Sequence, residues 1–173
     1  MPLGEVKGLE AYDGVVIGRP MIMGWHRAAL GFLKKHRAAF QRIPMAVFVM
    51  GMSLTQTGET NVGGAPVYVD EKLPKPPEQE GRLNFRERYA RLSSYVRPIL
   101  MSTHPVKPVS VGLFGGRLEY GRLKWWAVLF VMLIIQAPAR DRRNWTAIRS
   151  WVARLPAALQ LETPEADRLA QVA

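Results

Sequence analysis

The chain has 173 residues, of which 48% are hydrophobic and 22% charged, and it contains no cysteine. This length and apolar content suit one compact domain with a buried core, and they exclude intrinsic disorder as its main state. The lack of cysteine excludes a disulfide scaffold, a thiolate-held iron–sulfur cluster and a cysteine zinc site. The net charge of +10 favours an anionic partner such as nucleic acid, a phosphate ligand or an acidic membrane face.

The first residues have neither a basic region nor an apolar core, so we expect no secretory signal. The longest apolar run, Trp125 to Ile135, has eleven residues. A helix that crosses a bilayer needs about 20. We therefore expect a cytoplasmic protein without a classical transmembrane helix.

Three short apolar segments, each closed by glycine, predict strands that are buried on both faces. They span residues 14–18, 45–50 and 108–114. Residues 54–84 show no periodicity and contain several Pro and Gly, so we expect a long loop there.

Apolar residues at three- and four-residue steps predict helices over residues 25–40, from 85 to 98, and over 145–155. Pro98 is expected to end or kink the second helix, and Asn144 suits the N-cap of the third. The predicted core-facing residues are Ala29, Leu33, His36 and Phe40 in the first helix, Phe85, Tyr89, Leu92 and Val96 in the second, and Trp145, Ile148, Val152 and Leu155 in the third.

This alternation of strands and helices predicts an α/β fold with a parallel sheet and helices on both faces. We expect one domain over residues 1–160, with a basic and apolar insert at 117–143 and a tail at 161–173. Ligands bind at the carboxyl ends of the strands in such sheets. The segments there are Gly18–Trp25, Gly51–Leu54 and Gly115–Tyr120.

The segment YDGVVIGRPMIMGWHRAALGFLKKH, residues 12–36, resembles the third-strand region of flavodoxin-like proteins. VGLFGGRLEYGRLKWW and RDRRNWTAIRSWVARL resemble the last strand, insert and final helix. The nearest likeness is to the bacterial menaquinone-dependent protoporphyrinogen dehydrogenase group. It extends from about Tyr12 to Leu159 and is weakest across the predicted loop.

The resemblance implies an FMN-binding flavodoxin fold with five parallel strands in the order 2-1-3-4-5. It also implies flavin-dependent electron transfer, in the nearest enzymes from a porphyrinogen to a quinone. In that family the loops after the third and fourth strands flank the flavin ring, and the segment after the last strand completes the crevice. The matching residues here are Arg19, Pro20, Met21, Met23, Gly24, Trp25, Gly51, Met52, Ser53, Gly116, Arg117 and Leu118.

The chain begins where the family enters its third strand, so the resemblance implies a domain truncated at its N-terminus. The first strand, the phosphate-binding loop, the first helix and the second strand would be missing. We then expect weak or no FMN binding by this chain alone, and an exposed sheet edge that a second chain or a homo-oligomer covers. Three interpretations stay open: a true start upstream of Met1, a second chain that supplies the missing half, or a remnant that binds no flavin. The alternative function is a non-enzymatic flavodoxin-fold module for membrane or protein association.

Two further motifs carry weaker signals. Thr55–Thr60 copies the T-x-T-G-x-T pattern of a flavodoxin phosphate loop, but the residues that follow do not predict the helix such a loop requires, so a polar loop is favoured. His26, His36 and His104 have no partners at metal-ligand spacing, so we expect no metal site. Among these histidines, His26 alone lies beside the expected flavin loop and is a candidate proton donor, although a surface histidine at the start of the helix is favoured.

The insert at residues 117–143 has an apolar centre between two basic flanks, with Trp125 and Trp126 at the start of the apolar run. Tryptophan suits the headgroup boundary and arginine suits anionic lipid. One interpretation is a peripheral contact with the inner membrane face that admits a quinone to the flavin site. The other is an element buried in the core or against a partner. Nucleic-acid binding is not expected, because the positive charges are scattered and match no recognised motif.

Overall fold

A computed structural model of the chain describes residues 2–21, 27–59, 61–79, 81–119, 121, 125, 128 and 140–161. Its strands, in chain order, are β1 (Val15–Pro20), β2 (Met45–Gly51), β3 (Leu54–Thr55), β4 (Val67–Val69), β5 (Pro74–Lys75) and β6 (Ser110–Gly115). Its α-helices are α1 (Arg27–Lys35), α2 (Phe85–Tyr89), α3 (Leu92–Thr103), α4 (Trp145–Val152) and α5 (Leu155–Ala158).

The main sheet has four parallel strands in the order β1-β2-β6-β4. Ile17 lies opposite Val47, and Val47 lies opposite Val111. The three strands expected from the sequence are therefore adjacent and run in the same direction, as predicted. Among the described residues β1 forms one edge of this sheet, and its Val16 side chain is exposed.

The fourth strand, β4, lies inside the segment that the sequence predicted to be loop. It pairs with β6, with Tyr68 opposite Gly112. The strands β3 and β5, also in this segment, form a separate two-stranded parallel sheet. These strands have only two or three residues each, too few to show a period-two pattern, and pairing with distant partners defines them. The prediction of an unstructured loop was wrong at these positions.

Helices cover both faces of the sheet. Alternate residues of β2 point to opposite sides and so belong to two different cores. Val47 and Val49 belong to a core shared with α1 and α3. Ala46, together with the partly buried Phe48 and Met50, belongs to a second core packed against α4 and α5. The predicted α/β fold with helices on both faces is confirmed.

The first helix packs through the predicted residues, since Ala29, Leu33, His36 and Phe40 are all buried. It is shorter than expected, because α1 ends at Lys35 and a turn leads into a 3-10 helix at Ala39–Gln41.

The second predicted helix is two helices, and its first turn does not enter the core. Phe85 and Tyr89 of α2 are exposed, with their rings 4.8 Å apart. The helix is interrupted after α2, because the Ala90 carbonyl accepts a hydrogen bond from the Thr55 amide at 2.7 Å. The α3 helix then runs through Pro98 to its end. Tight burial of its apolar face offsets the hydrogen bond that proline removes.

The last predicted helix has a different buried face from the one expected. Trp145 and Val152 are 52% and 50% exposed, whereas Trp151 is only 3% exposed. The Trp151 indole packs edge-on against Phe114 and donates a hydrogen bond to the Ser110 hydroxyl at 2.8 Å. Gly112, which has no side chain, leaves the space that the indole needs. This one large side chain sets the rotation of α4 about its axis.

Candidate functional site

The carboxyl ends of β1, β2 and β6 lie side by side at one edge of the main sheet. The Met21 amide, directly after β1, donates a hydrogen bond to the Met50 carbonyl at 2.8 Å. On the other side of β2, the Gly116 amide donates to the Gly51 carbonyl at 2.7 Å. The segments that follow these three strands therefore start in contact with one another, at the edge where open parallel sheets bind ligands.

The structure describes most of the predicted flavin-site residues. Arg19 and Pro20 are the last residues of β1, where they lie opposite Val49 and Met50. Met21 packs against the first core from its margin. Met23, Gly24 and Trp25 lie outside the described residues, as does His26. The remaining candidates follow the other two strands, at Gly51, Met52, Ser53, Gly116, Arg117 and Leu118.

Three donors from different parts of the chain hold the backbone of the Gly51–Ser53 loop. Besides the bond from Gly116 to Gly51, the Arg142 guanidinium donates to the Met52 carbonyl at 2.6 Å. The Tyr95 hydroxyl of α3 donates to the Ser53 carbonyl at 2.6 Å. Each of three consecutive carbonyls thus has its own donor, which gives the loop one defined conformation.

The Tyr95 hydroxyl is a stable donor in this arrangement. Its side chain is buried, and this burial raises the pKa of Tyr95 to about 12. The phenol is protonated at neutral pH, and its hydroxyl donates a hydrogen bond to the Ser53 carbonyl.

The two ends of the predicted insert pair with each other at the same edge of the sheet. The Arg142 amide donates to the Gly116 carbonyl, and the Leu118 amide donates to the Arg140 carbonyl, both at 3.0 Å. A Cβ atom at Gly115 would clash with the Arg142 carbonyl oxygen, so glycine is needed where these backbones meet. We call residues 116–118 and 140–142 the insert stem.

Charged side chains along the stem are paired with near neighbours. Arg117 forms an ion pair with Glu119. Arg143 forms one with Asp141, and its hydrogen bonds lower the pKa of Asp141 to about 2. Both pairs are largely exposed, so they add little to stability.

Asp70 and Arg142 belong to this edge, although the sequence did not single them out. Asp70 directly follows β4 and is completely buried. Its Oδ1 atom accepts hydrogen bonds from the Asn144 side-chain amide at 2.8 Å and from the Lys72 amide at 3.1 Å. Asn144 in turn caps α4 through Ala147, as predicted. An acidic residue at the end of a strand was a usable signal, but β4 itself was too short to recognise.

The Thr55–Thr60 segment does not form a phosphate cradle in the described residues. Thr55 belongs to β3 and its hydroxyl donates to the Glu87 carbonyl at 3.0 Å. The Glu59 carboxylate accepts from the Ser93 amide at 2.8 Å and pairs with Arg91, so it occupies the N-terminal end of α3. An anionic side chain of the protein therefore already occupies the N-terminal end of α3, a position that favours negative charge. No helix follows this loop directly, as the sequence indicated.

Within the described part of the chain, no group of three His, Asp or Glu side chains is close enough to hold a metal ion. No helix there is long and apolar enough to cross a membrane. Most of the apolar centre of the insert lies outside the described residues. Trp125, at the start of that centre, is described and is 76% exposed.

A family model for the flavodoxin domain matches residues 2–144 of the chain. The match covers most of the chain, and it agrees with the parallel sheet and the helices on its two faces. The protein therefore belongs to the flavodoxin domain family, whose members mediate electron transfer through a flavin. No curated protein and no solved structure matches the chain.

Two narrower expectations receive no support from this match. It does not assign the chain to the protoporphyrinogen dehydrogenase group. It also begins at residue 2, so it does not support the predicted truncation of the family domain.

The described residues fit the flavin ring of FMN better than its phosphate. Met21, Met52 and Leu118 are apolar residues of the three segments that follow β1, β2 and β6, and apolar side chains suit a flavin ring. In the Thr55–Glu59 segment, the sequence's candidate for the phosphate, Thr55 and Glu59 are occupied by the contacts described above, whereas the buried Thr57 hydroxyl has no hydrogen-bond partner.

Proposed function

We propose that this chain binds a flavin at the carboxyl edge of its main sheet and acts in electron transfer. The observation that carries the proposal is the contact of the three strand ends through the Met21–Met50 and Gly116–Gly51 hydrogen bonds. Family membership supports a flavin as the ligand. The walls of the site would be residues 19–25, 51–54 and 116–120.

A bound flavin supplies the redox chemistry, and the chain binds it, orients it and limits its contact with water. The Gly51–Ser53 loop suits this role because its backbone is held by three donors. Affinity then comes mainly from the ring, because Thr55 and Glu59 of the phosphate-loop motif are occupied by contacts within the chain and the Glu59 carboxylate would repel a phosphate. This agrees with the expectation of weak FMN binding.

Titration with riboflavin and with FMN tests this proposal. If the ring carries the affinity, the two dissociation constants should agree within about threefold, since the phosphate adds few contacts. Flavin fluorescence quenching and the absorption spectrum measure both. If the purified chain binds neither flavin, the proposal fails. A yellow protein that retains stoichiometric FMN would contradict weak binding and indicate a phosphate site elsewhere.

A pair of methionine variants locates the site within the same titration. Met52→Asp places a charge at the expected ring wall and should weaken riboflavin binding about tenfold or more. Met101→Asp is the matched control, because Met101 is exposed near the end of α3. Equal loss of affinity in both variants would contradict the assigned location.

The finer part of the proposal names the electron donor and acceptor. The resemblance of residues 12–36 and 140–155 supports a porphyrinogen-like donor and a quinone acceptor. A quinone is lipid-soluble, so the insert would contact an anionic membrane surface beside the site. The exposed Trp125 and the position of the insert stem at the carboxyl edge support this contact.

Liposome flotation tests the membrane contact. We expect the chain to float with vesicles that contain anionic lipid, and Trp125→Glu to reduce the bound fraction severalfold. Trp145→Glu provides the control, because Trp145 is also an exposed tryptophan but lies on α4. Binding that is unchanged by Trp125→Glu would reject the contact.

The alternative function, a non-enzymatic module for association, has one specific observation in its favour. β1 is an edge strand among the described residues, and its Val16 side chain is exposed. An open, apolar edge is a surface that a second copy or another chain can cover. The flavin titration separates the two functions, since a pure association module binds neither flavin.

A further inference from the structure

A network of polar side chains links the proposed flavin site to the far edge of the sheet. Arg142 donates to the Met52 carbonyl at 2.6 Å and to the Lys72 carbonyl at 3.1 Å. Its own amide bonds to the Gly116 carbonyl at 3.0 Å. One residue thus joins the segments that follow β2, β4 and β6.

Buried Asp70 bonds to the segments on either side of the Arg142–Lys72 contact. Its Oδ1 atom binds the Lys72 amide, which belongs to the residue whose carbonyl Arg142 contacts. The same oxygen binds the side chain of Asn144, two residues beyond Arg142. Asp70 is itself attached to the sheet, because its amide donates to the Leu113 carbonyl at 2.9 Å.

This geometry restricts what can replace Arg142. A planar guanidinium donates to two carbonyls at once, whereas a lysine ammonium on a flexible stem has no such fixed fork. The two carbonyls are 20 residues apart in sequence, at positions 52 and 72, and one guanidinium binds both. The residues that follow them are joined separately, since the Leu54 amide donates to the Leu73 carbonyl at 3.3 Å. Arg142 is therefore a second link between these segments, and it acts directly on the Gly51–Ser53 loop.

We infer that Arg142, held in place by Asp70 and Asn144, is a positioning residue that sets the conformation of the Gly51–Ser53 loop and so shapes the flavin site. The inference has two halves. The first half, that Arg142 sets the loop conformation, can be measured without flavin. The second half, that it shapes the flavin site, rests on the proposed function.

Hydrogen exchange of the flavin-free full chain tests the first half. Arg142→Met should speed amide exchange by about tenfold or more at Gly116, which donates to the Gly51 carbonyl, and at Leu54, which follows the loop. The core amides of Val47 and Val111 should keep their rates.

Arg142→Lys should give an intermediate effect, and it also serves if Arg142→Met does not fold. Arg149→Met, an exposed arginine of α4, is the matched control. Unchanged exchange at Gly116 and Leu54 would overturn the inference.

Riboflavin affinity of the same variants tests the second half. We expect binding to weaken about tenfold in Arg142→Met and less in Arg142→Lys, at a temperature where all variants are folded. Faster loop exchange with unchanged affinity would overturn the link to flavin. If the unaltered chain binds no flavin, the proposed function fails, while the exchange rates still decide whether Arg142 positions the loop.

Substitutions at Asp70 separate its hydrogen bonds from its charge. Asp70→Asn keeps an oxygen for Lys72 and Asn144, so loop exchange should stay within about threefold of the unaltered chain. Asp70→Ala leaves both donors without this acceptor and should reproduce the effect of Arg142→Met. If Asp70→Ala leaves the loop amides unchanged, Asp70 has no part in positioning.

Discussion

Glu59 is a carboxylate that stabilises the start of a helix from outside that helix. It accepts hydrogen bonds from the amide and hydroxyl of Ser93, at 2.8 and 3.1 Å, and pairs with Arg91. Burial by itself would raise the pKa of Glu59, but these donors lower it below its usual value. The ionised form is therefore favoured in the folded protein.

The lowered pKa makes this contribution to stability depend on pH. It is fully present above the pKa of Glu59 in the unfolded chain, and it is lost as pH falls through the lower pKa of the folded state. Glu59→Gln should reduce the free energy of unfolding by about 1–2 kcal/mol at pH 7. The difference should shrink below about pH 4.

Urea unfolding at pH 7 and pH 3 measures this difference. Glu5→Gln, at an exposed glutamate of the N-terminal 3-10 helix, is the control and should have little effect at either pH. A Glu59→Gln loss that is as large at pH 3 as at pH 7 would show that the carboxylate charge is not involved.

At the scale of elements, α4 shows how one side chain can determine the face that a helix buries. Trp151→Ala should lower the free energy of unfolding by about 3–5 kcal/mol, because it removes a buried indole and leaves a cavity beside Phe114. Trp145→Ala should change it by less than about 1 kcal/mol, since its main described contact is with the Arg143 guanidinium, 5.1 Å from the ring centre.

Chemical unfolding of the two tryptophan variants at pH 7 checks this contrast. The same residue type is removed from the same helix in both, so only the packing differs. Equal losses would mean that α4 does not pack through the face described here.

The sequence predicts these elements unevenly, for identifiable reasons. The strands β1, β2 and β6 are continuous apolar runs closed by glycine, and they are recognisable without knowledge of their partners. The phase of α4 is not recognisable in this way, because Trp145 and Trp151 are equally apolar and only the space above Gly112 selects one of them. The break between α2 and α3 depends on Thr55, 35 residues before Ala90.

Across the fold, the meeting of the three strand ends follows from the sequence, but the contacts that hold the segments after them do not. Parallel strands place their carboxyl ends at one edge, so the segments after 18, 51 and 115 were expected to meet. The contact of Arg142 with Met52 spans 90 residues. It depends on the β4 strand and on the closure of the insert stem, and neither has a local sequence signal.

The net charge of +10 does not show which positive side chains are free to meet a ligand. Arg117 of the insert stem and Arg143, directly after it, are paired with neighbouring acids, whereas Arg142 bonds to carbonyl oxygens. Of these three arginines, Arg142 is the one whose described contacts include no acid, and its guanidinium has a structural task. An anionic ligand could contact Arg142 only through the part of the guanidinium that does not already bond to the Met52 and Lys72 carbonyls.

The insert stem has a consequence for how this protein can vary. Its two segments are joined by a backbone hydrogen bond between Leu118 and Arg140. A change in the number or composition of the residues between these positions therefore need not alter the order of the strands in the sheet. Evolution can remodel those residues for new surroundings while the strand ends keep their arrangement.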